Sequence, residues 1–230
     1  YWAAAGRPGT DTAFDVGQMK IGRRLAIKIL NASKFVLGLG AALPTDLEVV
    51  TDPLDRAMLA SLASVVDDAT AAFDDYNYAR ALEVAEQFFW SFCDDHVELV
   101  KDRAYGGRGP EGAASAKAAL ALALSVQLRL FAPVLPFVTE EVWGWWQEGS
   151  VHRAPWPSTA ELAGATGDAA VVADVATALS AIRKAKSDAK VSMRADVEAA
   201  VITGDADALG RIEEAGADLA AAGRVAHVTY

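Results

Sequence analysis

Lys20, Arg23, Arg24, Lys28, Asn31 and Lys34 recur at helical spacing within the stretch QMKIGRRLAIKILNASKFV, and these side chains together suit one kind of chemistry. Ammonium and guanidinium groups hold phosphate oxygens, a carboxamide can pair with a base edge, and the ring of Phe35 offers a stacking surface. On a helical wheel the six polar residues fall within about 140° of arc, and Ile27 and Phe35 lie inside the same arc. Stacking one base on an aromatic ring contributes roughly 1–3 kcal/mol. Each cation on a single-stranded phosphate adds about 0.7 to the salt slope of binding. The stretch is therefore a candidate RNA-reading surface. A solvated helix face with Phe35 tucked under a neighbour accounts for the same pattern, and wheel geometry does not separate the two.

The surrounding chain makes the stretch conspicuous. It carries 31 Asp+Glu against 21 Lys+Arg, a net charge of −10, yet no acid occurs between Asp15 and Asp46. Such a charge argues against indiscriminate binding to nucleic acid or anionic lipid, without excluding one local basic surface. A second basic cluster, Arg183, Lys184, Lys186, Lys190 and Arg194, is diluted by Asp188. It reads either as a solvated helix face or as a contact for an RNA backbone.

Other groupings carry less. Cys93 is the single cysteine, so no internal disulfide forms, which favours a reducing, cytoplasmic setting. Asp94-Asp95-His96 has metal-like types, but adjacent helical positions point apart, and no zinc spacing occurs, so no metal is expected. Glu140 and Glu141 follow Pro136 and suit a helix N-terminus better than paired acid–base work. Trp143, Trp145 and Trp146 read as core more readily than as a stacking platform. With no phosphate-binding loop, dinucleotide fingerprint or nucleophile elbow, no catalytic residue is assigned.

The elements that must position the basic stretch are helical. Residues 1–17 read as an irregular lead-in, and a helix over 18–37 places Ile21, Leu25, Ile29, Ala32 and Val36 on its apolar stripe. Asp52-Pro53 opens a second helix with Leu54, Met58, Leu62, Val65 and Ala69 inward. A third over 78–103 buries Leu82, Ala85, Phe89, Phe92 and Val100, and YGGRGPEGAAS reads as a loop. An Ala-rich helix follows to Ala132, then a short one opens on Pro136. Nowhere do apolar residues run together for the 18 positions a membrane helix needs, so no membrane partner is expected. After Ser158, helix, strand, helix and strand alternate. The fold class is mainly α: an antiparallel helical bundle over 18–157, with a small α/β appendage over 158–230.

YWAAAGRPGTDTAFDVGQMKIGRRLAIKILNASKFV closely resembles the segment of valyl-tRNA synthetases that leaves the catalytic domain and enters the anticodon-binding bundle. FFWSFCDDHVELVKDRAY and RLFAPVLPFVTEEVWGWW continue the resemblance in family order, so that it covers about residues 1–157. The latter is similar to the P-F-x-T-E-E-x-W signature shared by the valine, isoleucine and leucine branch of class I aminoacyl-tRNA synthetases. GRRLAIKILNASKF favours the valine branch.

The resemblance implies recognition of the valine tRNA anticodon, with Asn31 and Phe35 at positions that contact anticodon bases and Lys28 beside them. Arg24 and Lys20 extend that face as backbone contacts by wheel geometry, with Arg23 and Lys34 further along it. Val97 and Lys101 of the third helix are further candidate contacts, although a core position and a Glu98–Lys101 ion pair explain that helix equally well. The resemblance also implies a parent enzyme that joins valine to tRNA using ATP and Mg²⁺, and that edits mischarged threonine. The H-I-G-H and K-M-S-K-S sequences of such catalysis are missing here. KVSMR at Lys190–Arg194 has a different order and stands after the bundle. The expected partners are tRNA and the catalytic domain of the same chain, with no DNA and no cofactor held by these residues. The same region of an isoleucyl or leucyl enzyme, or a helical protein-interaction domain, stays open as an alternative.

Overall fold

The computed structural model describes residues 1–7, 9–40 and 43–230. Helices dominate: α1 (Trp2–Ala5), α2 (Val16–Leu37), α3 (Pro53–Asp74), α4 (Tyr78–Ser91), α5 (Val97–Ala104), α6 (Gly109–Phe131), α7 (Pro136–Trp143) and α8 (Ala170–Asp188). Strand β1 (Val197–Val201), helices α9 (Ala206–Glu214) and α10 (Gly216–Gly223), and strand β2 (Val225–Thr229) close the order. The expected mainly α fold with a small C-terminal α/β portion is observed. β1 and β2 pair in parallel, with Val197 opposite Val225 and Val201 opposite Thr229. Parallel pairing requires a crossover, which α9 and α10 supply.

Two compact units emerge. The first comprises Tyr1–Thr45, Leu62–Trp90 and Leu120–Ala163, and the second Asp46–Ser61, Ser91–Ala119 and Gly164–Tyr230. The first unit buries Leu25, Ile29 and Val36 of α2 and Phe89 of α4, while Phe89 meets Phe131 of α6 edge-on at 5.5 Å. Helix α7 packs on α2 and buries Val142 and Trp143. The second unit buries Leu54 and Met58 of α3, Leu99 and Val100 of α5, Val175 and Leu179 of α8, and Leu219 of α10.

Four local differences from the sequence reading have physical causes. First, the α2 stripe turns toward Gly22, Leu25, Ile29, Ser33 and Val36, leaving Ile21 and Ala32 half-buried, because a glycine and a serine are invisible to an apolar count. Second, the expected helix over 78–103 is broken by a π-helical turn at Phe92–His96. The extra residue in that turn shifts the helical phase, so that Phe92, His96 and Val97 are all buried.

Third, part of the expected loop at 105–115 is helix. Gly106 (φ 101°) and Gly109 (φ 78°) make the left-handed turn, and Pro110 then sits in the first turn of α6, where its missing N–H costs nothing. Fourth, α6 is by length and composition apolar enough to cross a membrane, which the sequence reading did not single out because Lys117, Gln127 and Arg129 interrupt its apolar run. However, 78% of its apolar window is buried inside the protein, as in a core helix.

Candidate nucleic-acid interface

Asp15 starts α2 by accepting a hydrogen bond from the Gly17 amide at 2.6 Å. From there Leu25 and Ile29 anchor one side of the helix in the first unit, and the opposite side is left to solvent. Lys20, Arg23, Arg24, Asn31 and Lys34 are all exposed, as the wheel requires. Their side chains make no hydrogen bond or ion pair among the described residues, so four cations and one carboxamide stand ready for a ligand. No carboxylate shares the helix.

The two remaining residues of the face are held differently. Lys28 is half-buried, its ammonium 5.8 Å from the centroid of Trp90, a cation–π contact with α4. Phe35 is half-buried as well, so it presents only part of its ring. Ile27, by contrast, is 45% exposed at the middle of the polar arc. The structure therefore puts an aliphatic surface where the sequence reading gave weight only to the aromatic one. The available signal was that Ile27 falls inside the basic arc.

Gly22 and Tyr1 fix how the helix is covered on its inner side. A methyl group placed on Gly22 would sit 2.5 Å from Tyr1 Cβ and 2.6 Å from its Cγ. The ring lies across the glycine, and its hydroxyl donates to Glu86 Oε2 at 2.7 Å. Burial and the neighbouring Glu86 carboxylate push the Tyr1 phenol up from its ordinary value. Replacing Gly22 with Ala is expected to displace this ring and cost about 1–3 kcal/mol, the usual overpacking range, because the methyl meets the root of the tyrosine side chain rather than its flexible end. Urea unfolding of G22A beside Y1A checks it: non-additive losses are expected, and full additivity would rule out the contact.

Val97 and Lys101 belong to the second unit. Val97 is 7% exposed and serves as core, so it offers almost no surface to a ligand. Lys101 is exposed and forms the anticipated pair with Glu98 at 3.1 Å. The Asp94-Asp95-His96 run splits as its helical phase demands, with Asp94 exposed and His96 fully buried. No cluster of acid, His or Cys residues suited to a metal ion occurs among the described residues. Glu140 does not sit idle at the α7 N-terminus. It accepts hydrogen bonds from Ser150 Oγ at 2.9 Å and the Val151 amide at 3.0 Å, tying down the following loop.

A basic helix face with an exposed carboxamide has the chemistry to contact phosphates and a base edge. A family model described as the anticodon-binding domain of tRNA ligase matches residues 55–202, which lie beyond α2. Relatives extend the likeness across α2. The valine–tRNA ligase of Thermobifida fusca is 60% identical over 233 residues, covering all of this chain and 26% of that protein. Those of Salinispora tropica (56%, 99% of this chain, 29% of that protein) and Leifsonia xyli (56%, 100% and 27%) are similar to it over the same extent. The chain thus spans about a quarter of the length of these curated relatives. The matched region covers well over half of the chain, and the chain belongs to the family of anticodon-binding domains of tRNA ligases.

Proposed function

We propose that this chain recognises the anticodon of a valine-accepting tRNA as part of a valine–tRNA ligase. The observation that carries the reading is the identity of 46–60% to proteins of that name over essentially the whole chain. Residues 1–17 then form the lead-in from a catalytic domain, 18–157 the anticodon-binding bundle and 158–230 an appendage. Joining valine to tRNA with ATP and Mg²⁺, and editing mischarged threonine, fall to other parts of that enzyme, in the cytoplasm.

The α2 face supplies the recognition. Lys20, Arg23, Arg24 and Lys34 neutralise phosphates of the anticodon loop, while the Asn31 carboxamide pairs with a base edge. Lys28 and the exposed edge of Phe35 flank one side, and Ile27 gives a base an apolar surface to lie against. A local basic face on an acidic body steers RNA to one place and repels it elsewhere.

Binding of the chain to a valine anticodon stem-loop, with a second stem-loop carrying exchanged second and third anticodon bases, tests this at two salt concentrations. Wild-type protein prefers the valine loop. Asn31→Ala lowers that preference by about tenfold, within the range of one lost base contact. Arg24→Gln weakens both loops alike and reduces the salt slope by about 0.7. Equal affinity of the wild type for the two loops would refute anticodon reading by this chain.

A further inference from the structure

Beyond the α2 face, the second unit holds a half-open cleft of about 520 Å³ that no stretch of sequence marks out by itself. Its walls bring together Lys101 of α5, Arg183 and Lys186 of α8, Arg194 of the following loop and Arg224 before β2, with Tyr105 at the edge. Two acids, Glu98 and Asp102, share the lining. The second basic cluster of the sequence is thus sorted by the fold. Arg183, Lys186 and Arg194 enter the cleft, whereas Lys184 is engaged with Asp188 at 2.9 Å and Lys190 lies outside the lining.

Lys186 distinguishes this cleft from an ordinary basic surface. The residue is 4% exposed, and its ammonium donates to the carbonyls of Met193 (3.2 Å), Ala195 (2.7 Å) and Gly223 (2.8 Å). All three donors are used, yet among the described residues the charge has no carboxylate within ion-pair distance. Asp196, which acts on it from further away, is already held by Arg224 at 2.6 Å. Burial, and then the nearby Arg224 cation, hold the ammonium below its ordinary value. Carbonyl dipoles satisfy hydrogen bonds but do not cancel a buried charge, so an anion at the cleft mouth gains from what the protein leaves uncompensated.

Two further groups face the opening. Arg194 is exposed, and its side chain has no partner among the described residues. Arg183 spends one N–H on the Asp94 carbonyl at 3.2 Å, leaving most of its five donors available. Cations arriving from α5, α8, a loop and the start of β2 line an open trough, which suits a continuous run of phosphates better than one small anion.

We infer that this cleft is a second RNA site that grips the phosphodiester backbone without reading sequence. The inference rests on the chain binding tRNA, and it is tested apart from anticodon reading. Arg183→Gln/Arg194→Gln is measured against a Lys184→Gln/Lys190→Gln control that removes the same charge outside the cleft. The probes are tRNA transcripts with the valine anticodon and with the exchanged anticodon. The cleft pair is expected to weaken both transcripts about tenfold and to reduce the salt slope by about 1.4, at roughly 0.7 per contact. The control should change the slope by less than half as much, and melting temperature confirms that both variants fold. Equal losses in the two pairs, or none in the cleft pair, overturn the site. Inorganic phosphate at fixed ionic strength should leave tRNA binding unchanged. Displacement by it would assign the cleft to a single small anion and overturn the RNA assignment. Failure of anticodon reading would show separately, as equal binding of the two transcripts by wild-type protein.

Discussion

Arg103→Met is expected to cost about 3–5 kcal/mol, the range for breaking one side of a buried ion pair. Arg103 is fully buried in the second unit. Its two terminal nitrogens grip the Asp55 carboxylate, and its Nε donates to Asp218 at 3.0 and 3.1 Å. Asp52 stands 3.5 Å away, and Arg108 joins Asp52 and Asp218 from the solvent side at 3.1 and 3.2 Å. Ser115 completes the set by donating to Asp55 at 2.7 Å. One fork of donors therefore fastens α5 to the start of α3 and to α10.

Burial pushes the Asp218 carboxyl up despite the opposing pull of Arg103, so these carboxylates are costly to hold without the guanidinium. Methionine preserves much of the volume but leaves Asp55 and Asp218 buried with little compensation. Arg103→Lys should recover only part of the loss, because an ammonium cannot span two carboxylates as a planar fork does. Urea unfolding at pH 7 measures both variants. A loss below about 1 kcal/mol for Arg103→Met would show that the acids relax to solvent and that the cluster is not a clamp.

His96 should make the protein about 2 kcal/mol less stable at pH 5 than at pH 7. Burial first, then the Arg103 cation, push its imidazole down to about 3, with Asp52 pulling weakly the other way. The ring stacks on Phe92 at 6.1 Å, and its Nε2 lies 3.6 Å from Asp55 Oδ1. Neither ring nitrogen has a hydrogen-bond partner among the described residues, which suits a neutral ring packed as an apolar disc.

In the unfolded chain the group titrates near 6.5. Below that pH the unfolded state takes up a proton that the folded state refuses, so stability falls as pH drops from about 6.5 toward 3. The raised Asp218 carboxyl contributes the opposite slope at the acid end of this range. His96→Leu isolates the histidine part: the variant should lose most of the decline between pH 7 and pH 5, whatever its absolute stability. An unchanged decline would mean that His96 is charged in the fold or freely hydrated.

Much of this molecule was legible in its residues. Asp52-Pro53 announced α3, Pro136 announced α7, and apolar periodicity placed Leu25, Ile29, Phe89 and Val100 inside. The basic face of α2 could be drawn on a wheel because a helix fixes its own side-chain directions, and a face opposite buried Leu25 and Ile29 must meet solvent. Acid depletion between Asp15 and Asp46 marked that face before any contact was known.

The tertiary structure decided what depends on partners distant in the chain. Gly22 is buried because Tyr1 covers it, Lys28 is tethered because Trp90 stands opposite, and the π turn sends His96 and Val97 inward rather than outward. Arg103 gave no sign of its role, since Asp55 and Asp218 lie 48 and 115 residues away. Nor could sequence sort Lys186 from Lys184, two lysines of one helix. A turn of about 100° per residue sets them on opposite sides, but only the packing of Gly223 and the Met193–Ala195 loop determines which side becomes a buried charge. Local periodicity fixes direction; burial and pairing are set by whatever the fold brings to meet it.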